Sequence, residues 1–149
     1  MFLRKGFTIL ELLIVIAIIA ILVGMALPRF KGMQDEANIA KANGELRALR
    51  TAVESYYIHQ TPNAYPATTS TLCATYLTVA TTIPKIIDTD LYDPFGATTT
   101  TEYQYVLATS GKYYVIYSVG PNGNGTCTIA DNGTITRTNS APYASNGHL

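Results

Sequence analysis

Residues 7–27 read FTILELLIVIAIIAILVGMAL, twenty-one positions in which Glu11 is the single ionisable residue. A helix of that length spans about 31 Å, the thickness of a bilayer's hydrocarbon core. The stretch therefore predicts a membrane-spanning helix. Upstream, Met1 to Gly6 carry two cations, Arg4 and Lys5. Basic residues stay on the cytoplasmic side, so the N-terminus is expected there and the rest of the chain across the membrane. A removable secretory signal ends in a small-residue cleavage pattern. Here Ala26, Leu27 and Pro28 follow without an A-x-A pattern, so the apolar segment is expected to stay in the mature chain.

The helical pattern continues past the apolar run. Ile39, Ala42, Leu46, Leu49, Val53 and Tyr56 recur at steps of three and four, which places them in one stripe of a helix. Asp35, Lys41, Glu45, Arg47, Arg50 and Glu54 are expected to form the solvated face. Thr61-Pro62-Asn63 is a stop signal, so a long helix is expected over residues 7–58.

Residues 59–149 read as a separate globular part. Thr61 to Thr101 is rich in Thr, Ala and Pro. A short helix is expected at Thr71 to Leu77, with Leu72, Tyr76 and Leu77 on one side, and a turn at Asp93-Pro94-Phe95-Gly96. Tyr103 to Leu107 and Tyr113 to Val119, joined by Thr109-Ser110-Gly111-Lys112, carry the aromatic and β-branched signature of a hairpin. Thr126 to Ile129 and Thr134 to Thr138, joined by Asp131-Asn132-Gly133, form a second. The polar tail from Asn139 is expected to be loose. The predicted fold class is α+β, a long N-terminal helix packed against a small antiparallel sheet.

Composition narrows the function. The chain has 149 residues, zero formal net charge and 13% charged residues. That balance offers no electrostatic footprint for nucleic acid. His59 and His148 lack metal-ligand spacing, and Asp88, Asp90 and Asp93 read as solvated loop charges rather than a cation site. No phosphate-binding glycine loop and no G-x-S-x-G element occur. The chain is therefore expected not to be an enzyme. Asn124-Gly125-Thr126 and Asn132-Gly133-Thr134 fit a glycosylation sequon but also read as turns, and most of the eleven tyrosines read as sheet residues. Cys73 and Cys127 form no C-x-x-C pair. Export would favour a disulfide between them, closing a loop of about 55 residues worth roughly 4 kcal/mol on the chain-entropy model. Two buried free thiols are the alternative.

Glu11 is the sharpest clue. A carboxylate in a membrane helix costs several kcal/mol unless it is paired, and no cation lies within a helical turn of it inside the apolar run. Either a basic group from outside supplies the charge, or Glu11 is protonated, or the helix begins only at Leu12 and Glu11 lies among headgroups. Gly24 and Pro28 mark a second feature. Pro28 removes a helix hydrogen bond and Gly24 weakens the same turn, so the segment is expected either to kink or to lose helical order on assembly.

Gly6-Phe7-Thr8-Ile9-Leu10-Glu11, followed by the apolar run and Pro28, closely resembles the class III signal of type IV pilins and type II secretion pseudopilins. The resemblance is strong to about Tyr57 and looser beyond it. Asp93-Pro94-Phe95-Gly96, Tyr103-Gln104-Tyr105 and Tyr117-Ser118-Val119-Gly120 look like the C-terminal half of major pseudopilins. It implies cleavage after Gly6 by a prepilin peptidase, N-methylation of Phe7, and pairing of Glu11 with the N-terminal amine of a neighbouring subunit. It implies a helical homopolymer, built from inner-membrane subunits on an assembly platform. The filament is expected to be a surface pilus or, alternatively, a periplasmic secretion pseudopilus. A membrane-tethered binding domain is the rival from another class, and it lacks a polar cluster in the globular part. Major pseudopilins also place acidic residues after the last glycine, where they help bind calcium. Here the stretch is Pro121-Asn122-Gly123-Asn124-Gly125, so no cofactor is expected, with calcium as the minor alternative.

Overall fold

A computed structural model describes residues 7–66, 87 and 91–149. These form one helix, α1 (Ile9–His59), and the strands β1 (Gln104–Leu107), β2 (Tyr114–Tyr117), β3 (Cys127–Ile129), β4 (Ile135–Arg137) and β5 (Tyr143–Ser145). The chain divides into two compact units, Met1–Glu36 and Ala37–Leu149.

In the first unit α1 runs through Gly24 and Pro28 without interruption. Pro28 has no N–H to donate to the Gly24 carbonyl, and its ring crowds that oxygen. The apolar sequence tolerates the loss and stays helical. None of residues 7–33 is buried, and Ile9, Leu10 and Phe30 expose 85%, 69% and 66% of their surface. An apolar face of this extent is not stable in water and needs lipid or protein around it.

In the second unit the predicted stripe is the core. Ala42, Leu46, Leu49 and Val53 are buried, Ala52 joins them, and Ile39 and Tyr56 are half-buried. They pack against Ile87, Tyr103, Tyr105, Tyr114 and Ile116. Both predicted hairpins form. β1 pairs antiparallel with β2, opposing Tyr105 to Ile116, and β3 pairs with β4, opposing Cys127 to Arg137. Gly111 takes φ +68° in the first turn, a conformation that suits glycine. The pleat of β2 sends Tyr114 and Ile116 toward α1, and Val115 toward a second cluster with Cys127 and Ala141. β2 is thus covered on both faces, by the helix and by β3–β4. The turn at Asp93 to Gly96 forms as expected, with the Gly96 amide donating to the Asp93 carbonyl at 3.0 Å. The predicted short helix at Thr71 to Leu77 lies outside the described residues.

The tail departs from expectation. It is ordered, and β5 pairs antiparallel with the free edge of β2, giving the order β1-β2-β5. Ala141 is fully buried, and the Ile135 amide donates to the His148 carbonyl at 2.8 Å. The unpaired edge of β2 needs backbone partners. A polar tail supplies them as well as an apolar one, so composition did not report this strand.

Candidate assembly site

α1 begins at Ile9, so Glu11 lies inside the first helical turn and the alternative of a helix starting at Leu12 does not hold. The turn is capped reciprocally. The Thr8 amide and hydroxyl both donate to Glu11 Oε2, at 2.9 and 2.8 Å, and the Glu11 amide donates to Thr8 Oγ1 at 3.2 Å. This is a capping box, Thr-x-x-Glu, which satisfies amides the helix start would otherwise leave unpaired. The signal stood in the sequence, although only the charge of Glu11 was read from it. A carboxylate has about four acceptor sites. Thr8 occupies two, which leaves capacity for an ammonium group. Phe7 is 73% exposed beside this turn, and Gly6 lies outside the described residues. Among the described residues, nothing beyond the helix's own backbone lies within 4 Å of a Cβ placed at Gly24, so their packing does not demand glycine there.

The globular unit holds two carboxylates that sequence reasoning put in water. Glu45 accepts from the Tyr103 phenol at 2.6 Å and pairs with Lys41 at 3.7 Å. Glu54 accepts from Tyr114 at 2.9 Å and from Tyr65 at 3.1 Å. Both therefore lie half-buried at the margin of the stripe, each bonded to a tyrosine of the sheet side. Their phenol partners on the sheet side, Tyr103 and Tyr114, are 58 and 60 residues away, and i,i+4 spacing carries no trace of them. Around Glu54 the rings stack in sequence, Tyr57 on Tyr65 at 4.4 Å, Tyr65 against Tyr114 at 4.8 Å, and Tyr114 on Tyr105 at 5.9 Å. Burial first, then the Glu54 carboxylate, pushes the Tyr65 phenol up to about 12 and raises Tyr114 further. Tyr105, raised mainly by burial, donates to the Pro66 carbonyl at 2.9 Å.

Asp93 is a second correction. It is 3% exposed, not a solvated loop charge. Its Oδ1 accepts from the Ser118 hydroxyl at 2.7 Å and the Phe95 amide at 3.0 Å, and its Oδ2 from the Val119 amide at 2.8 Å. Asp88 and Asp90 lie outside the described residues. Among the described residues, no three His, Cys, Asp or Glu side chains converge to hold a metal. Cys127 is buried, and burial pushes its thiol up to about 11. Its predicted partner Cys73 lies outside the described residues.

A capped apolar helix with no buried residue over 7–33, followed in the chain by a helix-on-sheet globular unit, defines a pilin-like filament subunit. Residues 1–27 match the prokaryotic N-terminal methylation motif, and residues 29–137 match Type II secretion system (T2SS), protein G. The chain belongs to the type II secretion system protein G family, which is a structural family and not an enzyme family. It is 30% identical over 129 residues to the type II secretion system core protein G of Pectobacterium carotovorum subsp. carotovorum, covering 80% of this chain and 78% of that protein. It is 48% identical over 59 residues to the fimbrial protein EcpB of Eikenella corrodens, covering 40% of this chain and 37% of that one. With the type IV major alpha-pilin of Moraxella bovis it shares 46% over 52 residues, 35% of this chain and 33% of the other. No solved structure matches.

Proposed function

We propose that the chain is the repeating subunit of a helical homopolymer, trimmed after Gly6, N-methylated at Phe7 and held in the inner membrane until assembly. The observation that carries this reading is the uncovered apolar helix surface from Phe7 to Met33, with Glu11 capped at its start. In the membrane, lipid covers that surface. In a filament, the same helices of neighbouring subunits replace lipid. The capping residues Thr8 and Glu11 both lie beyond the cut after Gly6, so processing leaves the helix start intact. It also creates an amine at Phe7, and the Glu11 of a neighbour meets it. Gly24 and Pro28 give the packed segment its weakest backbone. The role is structural and needs no catalytic group.

Between the two filament types, coverage favours the secretion pseudopilus. The match to protein G extends over the globular unit, residues 29–137, whereas the fimbrial matches cover only 35% to 40% of the chain. The partners are then other copies, the prepilin peptidase and a secretion assembly platform. The test is to raise filaments in the native cell and shear them. Mass spectrometry of filament protein should find N-methyl-Phe7 at the start, and Gly6→Ala should strand the precursor in the membrane. Filaments carrying Met1 would overturn the processing. Deleting the gene should abolish export of secreted enzymes and leave surface pili in place; the reverse outcome would assign the chain to a surface pilus.

A further inference from the structure

The protein G resemblance implies a calcium-binding loop after the glycine here numbered Gly120. We infer that this chain closes that loop without metal, through a clasp of amides and backbone, and that its globular unit folds independently of calcium.

The donor set does not fit calcium. That ion takes six to eight oxygens, several of them from carboxylates. Between Val119 and Ala141 the only acidic residue is Asp131. It sits at the β3–β4 turn, where its Oδ1 accepts from the Ser110 amide at 2.6 Å. Among the described residues, the carboxylate that reaches the base of the loop is Asp93, and its three donors hold it inside the fold.

The loop is closed by its own groups. The Gly125 amide donates to the Val119 carbonyl at 2.8 Å, and the Gly123 amide to the Gly120 carbonyl at 2.8 Å. Gly120 and Gly123 take φ of +70° and +68°, which glycine adopts without strain. A Cβ at Gly125 would stand 2.6 Å from the Val119 oxygen and 2.8 Å from the Ala141 Cβ. The strand ends approach too closely there for any side chain. Asn139 Nδ2 donates to Asn124 Oδ1 at 2.8 Å across the mouth of the loop. The Asn124 amide oxygen is thus engaged by a neutral donor. Behind it the Thr126 amide donates to Thr138 Oγ1 at 2.9 Å. Neutral amides and hydroxyls thus do the bridging that a cation does between carboxylates.

The test is thermal unfolding of the full chain in detergent micelles, in EDTA and in excess calcium, followed by near-ultraviolet circular dichroism of tyrosine. No tyrosine lies in residues 1–36, so the signal reports the globular unit, and the readout does not depend on filament formation. The midpoint should be the same in both solutions. Asn124→Ala should lower it equally in both. A site filled at a hundred times its Kd would raise the midpoint by about 10 °C. Such a rise, or an Asn124→Ala loss confined to calcium, would overturn the inference.

Discussion

Glu54, near the end of α1, accepts the phenol of Tyr114 on β2 at 2.9 Å, across a sequence separation of 60 residues. The same carboxylate accepts Tyr65, so one helical side chain ties both a loop and the central strand. Glu54→Ala leaves the buried Tyr114 and the half-buried Tyr65 without their acceptor. Each such loss costs about 1–3 kcal/mol. Urea unfolding of the full chain in micelles, read by tyrosine circular dichroism, should show a lower midpoint with little change in slope. Glu54→Gln retains an acceptor and should lose less.

The tyrosine network sets an alkaline limit. Tyr65 titrates near 10.0 when unfolded and is pushed up to about 12 in the fold. Above the unfolded value the unfolded chain binds fewer protons than the folded one, so stability falls as pH rises. The contribution is fully present below about pH 10 and lost progressively between about pH 10 and 12. Melting at stepped pH, with phenolate absorbance as a second probe, should show unfolding and tyrosine ionisation moving together. Flat stability to pH 12 would mean the phenols are not protected.

At the other end of the chain, cap and charge at Glu11 can be separated. Glu11→Gln keeps a capping-box acceptor and removes the charge. It should insert and be processed normally, yet yield little or no filament, because the neighbour's amine would sit unpaired in a low-dielectric core. Thr8→Ala removes the cap at about 1 kcal/mol and keeps the charge, and it should still assemble. Immunoblots of sheared filaments against the membrane fraction decide. Normal filament yield from Glu11→Gln would assign Glu11 a capping role alone.

Asp93 should be more sensitive than a loop aspartate. Asp93→Asn places an amide N–H against one of its three donors, and hydrogen bonds to a charged acceptor are worth about 1.5–3 kcal/mol each. The unfolding midpoint should drop clearly, whereas Asp131→Asn, at an exposed turn, should lose less.

Cys127 is a free thiol in the structure; export to an oxidising compartment should bond it to Cys73. Thiol labelling of denatured, unreduced material should find no free cysteine, and reduction should lower stability by roughly 4 kcal/mol on the loop-entropy estimate. Two labelled thiols in freshly purified, oxidised protein would end the pairing.

The sequence by itself determined the elements whose signals are local. Residues 7–27 specify a helix by uniform apolarity, Ala42 to Val53 specify its buried face by 3.6-residue spacing, and both hairpins follow from alternation around Gly111 and Gly133. The Thr8–Glu11 cap was equally legible, being a four-residue motif. Long-range partners were decided only in three dimensions. Glu45 and Glu54 look like surface charges until phenols arrive from the sheet. Asp93 looks like a turn residue until Ser118 and Val119 fold onto it. The tail looks loose until the open edge of β2 recruits it. Apolar burial leaves a periodic imprint along the chain, because it depends on which face a residue occupies. Long-range hydrogen bonding leaves none, because any polar residue or backbone group can serve, and the tertiary structure alone selects which one does.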